Sequence, residues 1–282
     1  MRLRFLPCLV ILMTATVVHS ADVRMSVSDI TDNRSTGHFS QLEVKLKVMG
    51  DAVSDAKGVR VRITGATDDT GRNLLKEKDD RDDFTQIGDE GPGQSEITVK
   101  LKNPARKATV IRELTGEVSL FMPKMDPGSS AVIDGFMTKG GKPLEHKALK
   151  AAQVGVTVLT RADFEELREK RKRDIKDGGG EAVKELGEAL AGVFGALFEG
   201  MMQIGDNSVI LGVDDPQSRV MAIEFLDRNG KRISSQSSMR MNDVRTYEFE
   251  KPMPQDAQMI IYLVTAKSLV KEEVKLKDIP LP

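Results

Sequence analysis

Three long stretches of the chain alternate apolar and polar positions. Gln41-Leu42-Glu43-Val44-Lys45-Leu46-Lys47-Val48 does so without a break, as do Val59-Arg60-Val61-Arg62-Ile63-Thr64 and Glu96-Ile97-Thr98-Val99-Lys100-Leu101-Lys102. A period of two sends one face to a core and the other to water, which predicts antiparallel strands. Shorter apolar runs predict further strands at Val23–Val27, Thr109–Arg112, Gly116–Phe121, Ala131–Ile133 and Gln153–Leu159. Turn-rich segments separate them, among them Asp68-Asp69-Thr70-Gly71 and Gly88-Asp89-Glu90-Gly91-Pro92-Gly93.

Past Thr160 the period changes. Thr160 with Asp163 gives a capping-box signal, and Arg161–Lys176 follows as a charge lattice with Glu166–Lys170 and Glu169–Arg173 at i,i+4 spacing. Its apolar stripe is thin: Phe164, Leu167 and Ile175. Gly178-Gly179-Gly180 predicts a stop, and a second helix is expected over Glu181–Gln203. One side of it carries Val183, Leu186, Leu190, Val193, Phe194, Leu197 and Met201; the other carries Glu181, Glu185, Glu188 and Glu199. Strands return at Val209–Val213, Val220–Phe225, Arg245–Phe249, Ala257–Thr265 and Val270–Leu276, with Asp227-Arg228-Asn229-Gly230 as a hairpin turn. The two β regions echo each other faintly. Each has an Asp-x-x-Gly turn after a strand and later a Pro–Ala lead into another, Pro104–Ile111 and Pro254–Ile261. That is either a duplication or a feature sandwiches share in general.

The expected fold is therefore mainly β: two antiparallel β-sandwich domains, immunoglobulin-like in broad architecture, joined by an αα-hairpin. The expected boundaries are residues 21–160, 161–205 and 206–282. Residues 1–20 read as a signal peptide, with Arg2 and Arg4 before an apolar run from Phe5 to Val18 and small residues around a cleavage point near Ser20-Ala21. The only cysteine, Cys8, lies in that segment without a lipobox, so the expected mature protein is exported, periplasmic or extracellular, and without thiol chemistry.

Charge changes the functional picture more than length does. Forty-two basic and 43 acidic residues are interspersed, which argues against a nucleic-acid partner. Trp is absent and Tyr occurs twice, which disfavours sugar-binding or base-stacking surfaces. Leu101–Ala108, Ile111–Val118 and the closing Val274–Pro282 resemble exported β-sandwich proteins of environmental, planctomycete-like bacteria. The resemblance covers the β regions alone. It implies fold and compartment and no activity.

Catalytic signals are sparse. There is no Gly-x-Ser-x-Gly elbow, no His-Glu-x-x-His, and no phosphate or dinucleotide loop. Beyond the leader only His38 and His146 remain, each in a predicted loop; a hydrolase using one of them stands against the plainer reading of two solvent-facing histidines. Asp79, Asp80, Asp82 and Asp83 are the candidate calcium ligands. Lys76, Lys78 and Arg81 beside them suit an ordinary solvated acidic loop. No cofactor is expected. The expected role is non-enzymatic protein contact or self-association through Leu190, Val193, Phe194, Leu197, Phe198 and Met201. A membrane-active helix over residues 181–203 is the alternative. Glu188 and Glu199 weigh against it, since each would cost roughly 2.5–3.5 kcal/mol at a bilayer centre.

Overall fold

The computed structural model describes residues 23–35, 40–77, 83–87, 94–178, 205–241 and 243–282. The predicted leader, His38, Asp79, Asp80, Asp82 and the predicted helix with Leu190, Val193, Phe194, Leu197, Phe198 and Met201 lie outside those residues. What is described is mainly β, in several antiparallel sheets.

The first half supplies β1 (Arg24–Asn33), β2 (Gln41–Met49), the short helix α1 (Asp51–Asp55), β3 (Gly58–Asp68), β4 (Thr85–Gln86), β5 (Gln94–Leu101) and β6 (Val110–Phe121). Next come β7 (Ser130–Asp134), α2 (Lys147–Ala152), β8 (Gly155–Val158) and α3 (Arg161–Gly178). The chain closes with β9 (Ser208–Asp214), β10 (Val220–Leu226), β11 (Arg232–Ile233), β12 (Ser237–Met241), β13 (Val244–Glu248), β14 (Gln258–Leu263) and β15 (Leu269–Pro280).

Among the described residues four sheets form, in the orders β1-β2-β5, β15-β6-β3-β4, β11-β10-β14-β7 and β12-β13-β9-β8. The first two share one core, in which Leu42, Val44, Leu46 and Val48 of β2 meet Val59 and Val61 of β3 and Leu114, Val118 and Leu120 of β6. The other two share a second core, with Val209, Leu211 and Val213 of β9 against Ile223 and Phe225 of β10 and Met259, Ile261 and Leu263 of β14. The strict alternation read in β2 is its burial pattern, with Leu42, Val44, Leu46 and Val48 fully buried and their neighbours half-exposed.

Hydrogen bonding crosses the boundary expected at residue 160. β7 and β8 precede it, yet β7 pairs with β14 and β8 with β9. β15 runs back to pair with β6 along its whole length. The ladder partner of an edge strand is set by distant sequence, so local pattern cannot assign it.

Two local expectations change. Thr109–Arg112 and Gly116–Phe121 are one continuous strand, β6. Gly116 is not a break: a Cβ there would sit 2.5 Å from the Arg62 carbonyl oxygen, so glycine permits close approach of β3 beside a register shift at Ile63/Gly65. The strand expected over Gln153–Leu159 starts at Gly155, because α2 ends at Gln153 in a left-handed conformation at φ 54°. Lys-Ala-Leu-Lys-Ala-Ala is favourable helix sequence, and it buries Ala148, Leu149 and Ala152 in the second core.

Candidate functional site

The first place where the fold concentrates chemistry is the root of the segment between β8 and β9. These strands form an antiparallel ladder, Gly155 to Val158 against Asp214 to Leu211, and the Leu159 N–H donates to the Ile210 carbonyl at 2.9 Å. Beyond that bond the chain departs at Thr160 and comes back at Asp206. The Arg161 guanidinium lies 3.1 Å from the Asp206 carboxylate, so the two ends of the excursion stand side by side. Both groups are well exposed, so the pair contributes little energy; its value is as a marker of closeness.

The capping box read from the sequence forms here. Thr160 donates its N–H and its hydroxyl to Asp163 Oδ2 at 2.9 and 2.7 Å, and the Asp163 N–H donates to Thr160 Oγ1 at 3.2 Å. These bonds hold the Asp163 carboxyl below its usual pKa, the Thr160 hydroxyl first. They satisfy the Asp163 amide of α3 and the Thr160 amide just before it, at the turn where the macrodipole favours a negative charge. Phe164 then plugs the helix into the outer face of the β9/β13 sheet. It is fully buried against Ile210 and Val244, with Leu159, Leu167 and Met241 around it. Ile210 points away from the main core, so the unbroken run Val209-Ile210-Leu211 records burial on both faces.

The second concentration is the junction of the two sheet pairs. Phe121 of β6 packs with Ala222 and Tyr262, the Phe121 and Tyr262 rings meeting edge-on at 6.3 Å. Phe84 adds a second edge contact to Phe121 at 6.2 Å, and the Arg60 guanidinium lies over the Phe84 ring at 4.6 Å. Beside this cluster Glu224 is 7% exposed. Its carboxylate accepts from Lys57 Nζ at 3.0 and 3.4 Å and from the Tyr262 hydroxyl at 3.1 Å. Burial pushes the Tyr262 hydroxyl's pKa upward, and the Glu224 charge and hydrogen bond push it further the same way. Tyr262 therefore stays protonated and donating throughout the ordinary pH range. The sequence reading passed over this group. Its signal is a lone carboxylate inside the apolar run Val220-Met221-Ala222-Ile223-Glu224-Phe225.

The remaining candidates have local duties. His146 caps α2, its Nδ1 accepting the Ala148 N–H at 3.2 Å, which spends that nitrogen on structure. Asp83 is exposed. Among the described residues no group of three or more His, Cys, Asp or Glu side chains is placed to hold a metal ion. Asp227 is a turn residue: Oδ1 accepts the N–H groups of Asn229 and Lys231 at 2.8 and 2.9 Å. A cleft of about 220 Å³ opens between Asp214–Pro216 and the β12/β13 hairpin, with Arg240, Asp243 and Arg245 on its wall. Asp215 in that wall spends both oxygens on the Arg219 and Val220 amides, at 2.8 and 2.7 Å. Among the described residues no helix is long and apolar enough to cross a membrane. No family model, curated protein or solved structure matches this chain.

Proposed function

We propose that the protein is an exported, non-enzymatic scaffold that works through protein contacts, with the segment that follows α3 as its contact element. Each sheet pair is read as a sandwich of immunoglobulin-like strand order, and the excursion between β8 and β9 as a helical hairpin standing on the second one. One observation carries the reading: the excursion leaves and re-enters the frame at a single point, between Thr160 and Asp206, above a ladder complete without it. A frame built this way tolerates an insertion and displays it. The sequence between Gly178 and Gly205 holds Leu190, Val193, Phe194, Leu197, Phe198 and Met201. Covering a large apolar side chain of this kind gains about 1.5–3 kcal/mol, which a few such residues convert into useful affinity. Glycines at 187, 192, 195 and 200 cost helix propensity, so a partner's surface has stability to supply.

The test compares the mature chain with a Phe194→Ser/Leu197→Ser variant in affinity capture from envelope extract and in sedimentation. The reading expects a partner or a self-associated species with the first and its loss with the second. Equal capture by both would sink it. Flotation with vesicles at neutral and acidic pH, by the intact chain alone, would instead make the segment a membrane element.

A further inference from the structure

Two turns in opposite halves of the chain share one pattern of hydrogen bonds from backbone N–H groups. After β3, Asp68 Oδ1 accepts the N–H groups of Thr70 and Arg72 at 2.9 Å each, and the Gly71 N–H returns to the Asp68 carbonyl at 3.0 Å. After β10, Asp227 Oδ1 accepts from the residues two and four further on, Asn229 and Lys231, and the Gly230 N–H returns to the Asp227 carbonyl at 2.9 Å. Both glycines sit at positive φ, 85° and 78°. Sheet orders match too. Reading β8, β9, β10, β11, β13 and β14 as counterparts of β1, β2, β3, β4, β5 and β6 turns one pair of sheet orders into the other, with β12 as an added edge strand. The Pro104 and Pro254 leads then enter corresponding strands, β6 and β14.

One strand in each set breaks the chain order. The place beside β6 is filled by β15, and the place beside β14 by β7. In chain order each closing strand directly follows the other set's last strand: β7 comes after β6, and β15 after β14. We infer that the chain is two copies of one strand plan that have traded closing strands, and that Leu269–Pro280 is the latch without which the first copy stays open.

Strand lengths fit the trade. β6 and β15 each have 12 residues, whereas β14 has 6 and β7 has 5. Traded back, β7 would leave uncovered more than half of the β6 edge that faces away from β3. The two crossing connections, residues 122–129 and 264–268, are stitched together where they pass. The Met122 N–H donates to the Ser268 carbonyl at 2.7 Å, and the Thr265 hydroxyl donates to Asp126 Oδ2 at 2.6 Å. Thr265 and Ser268 form a reciprocal capping box, and Ser129 and Ser268 are fully buried. The Asp126 carboxyl is held below its usual pKa by the Thr265 hydroxyl and then by the Gly128 amide, so the stitch is charged at neutral pH.

The trade sets an order of closure. The second copy has its whole strand set once β14 has been made. The first has β1 to β6 by Phe121 yet waits for the last residues of the chain, which supply Ile279 to its core and cover the β6 edge. An unclosed edge and an incomplete core leave a small sheet pair poorly protected.

Hydrogen exchange on the full chain, on a chain ending at Ser268, and on that shorter chain with a synthetic 269–282 peptide tests the latch. Without β15, amides of β2, β3, β5 and β6 are expected to exchange about 100-fold faster or more. Those of β9, β10, β13 and β14 are expected to keep full-chain protection, and the peptide to restore the first set. Full-length Leu276→Asp, which sets a charge against the first core, is expected to reproduce the selective loss. Undiminished protection of β3 and β6 without β15 would overturn the inference, and so would equal loss in both copies.

Discussion

Asp68 is fully buried and exchanges its hydration for protein donors. Oδ1 takes the Thr70 N–H and hydroxyl and the Arg72 N–H, and Oδ2 takes the Ala105 N–H at 2.9 Å. Burial opposes the ionised form, but these bonds together outweigh it and hold the carboxyl below its usual pKa. Replacing Asp68 with Ala strands several donors and is expected to cost about 3 kcal/mol, read from urea midpoints. The sign of the pH effect follows. A carboxyl with a depressed folded pKa stabilises above its unfolded value of about 3.9, and that contribution disappears as pH falls through the folded value. Asp126, Asp163 and Asp227 shift the same way. Unfolding midpoints between pH 6 and pH 2.5 are therefore expected to fall below about pH 4, and less steeply for Asp68→Asn. The Asp-x-x-Gly turns were legible from the sequence. The burial of Asp68 was not, because Ala105 reaches it from 37 residues away.

α3 shows what an element's sequence reveals and conceals. Its start was legible in Thr160 and Asp163, and Phe164 and Leu167 in its thin stripe are the residues that dock. Its target was concealed: Ile210 and Val244 lie on strands that pair far from it in sequence. Phe164→Ala is expected to cost about 3 kcal/mol, at the low end for a buried Phe because the site is a satellite of the main cores. The measurable sign is faster amide exchange along α3 with the β9 amides unchanged. Thr160→Ala is expected to cost about 1 kcal/mol, through the lost cap. α2 escaped the sequence reading because six residues carry too little periodicity, and β6 was split because Gly116 looks like a stop until its neighbour across the ladder is known.

At the scale of the molecule, the informative pattern is where alternation fails. β2 alternates and keeps a half-exposed face, whereas β10 and β14 are buried or half-buried on both faces. Their second faces carry Ala222, Ile260 and Tyr262 at the junction with the first sheet pair. Lys57→Met removes the cation from buried Glu224. It is expected to cost about 1–2 kcal/mol, below the usual figure for a buried pair because Lys57 remains 41% exposed. Urea unfolding is expected to register that loss as a lower midpoint. Two β-rich regions were legible, but not that β15 closes the first and β7 the second, since an edge strand carries no local mark of its partner.

The most direct measurement excises residues 179–204, joins Gly178 to Gly205 with a Gly-Ser linker of about 12 residues, enough to run back along the roughly 27 Å of α3, and follows partner capture and amide protection in the same preparation. Because the excursion begins and ends beside the Arg161–Asp206 pair, protection across β2, β6, β9 and β14 is expected to stay within about threefold of the intact chain while capture is lost. Retained capture would contradict a contact role for that segment, and melting of the β frame would show that the segment belongs to the core it was taken to stand upon.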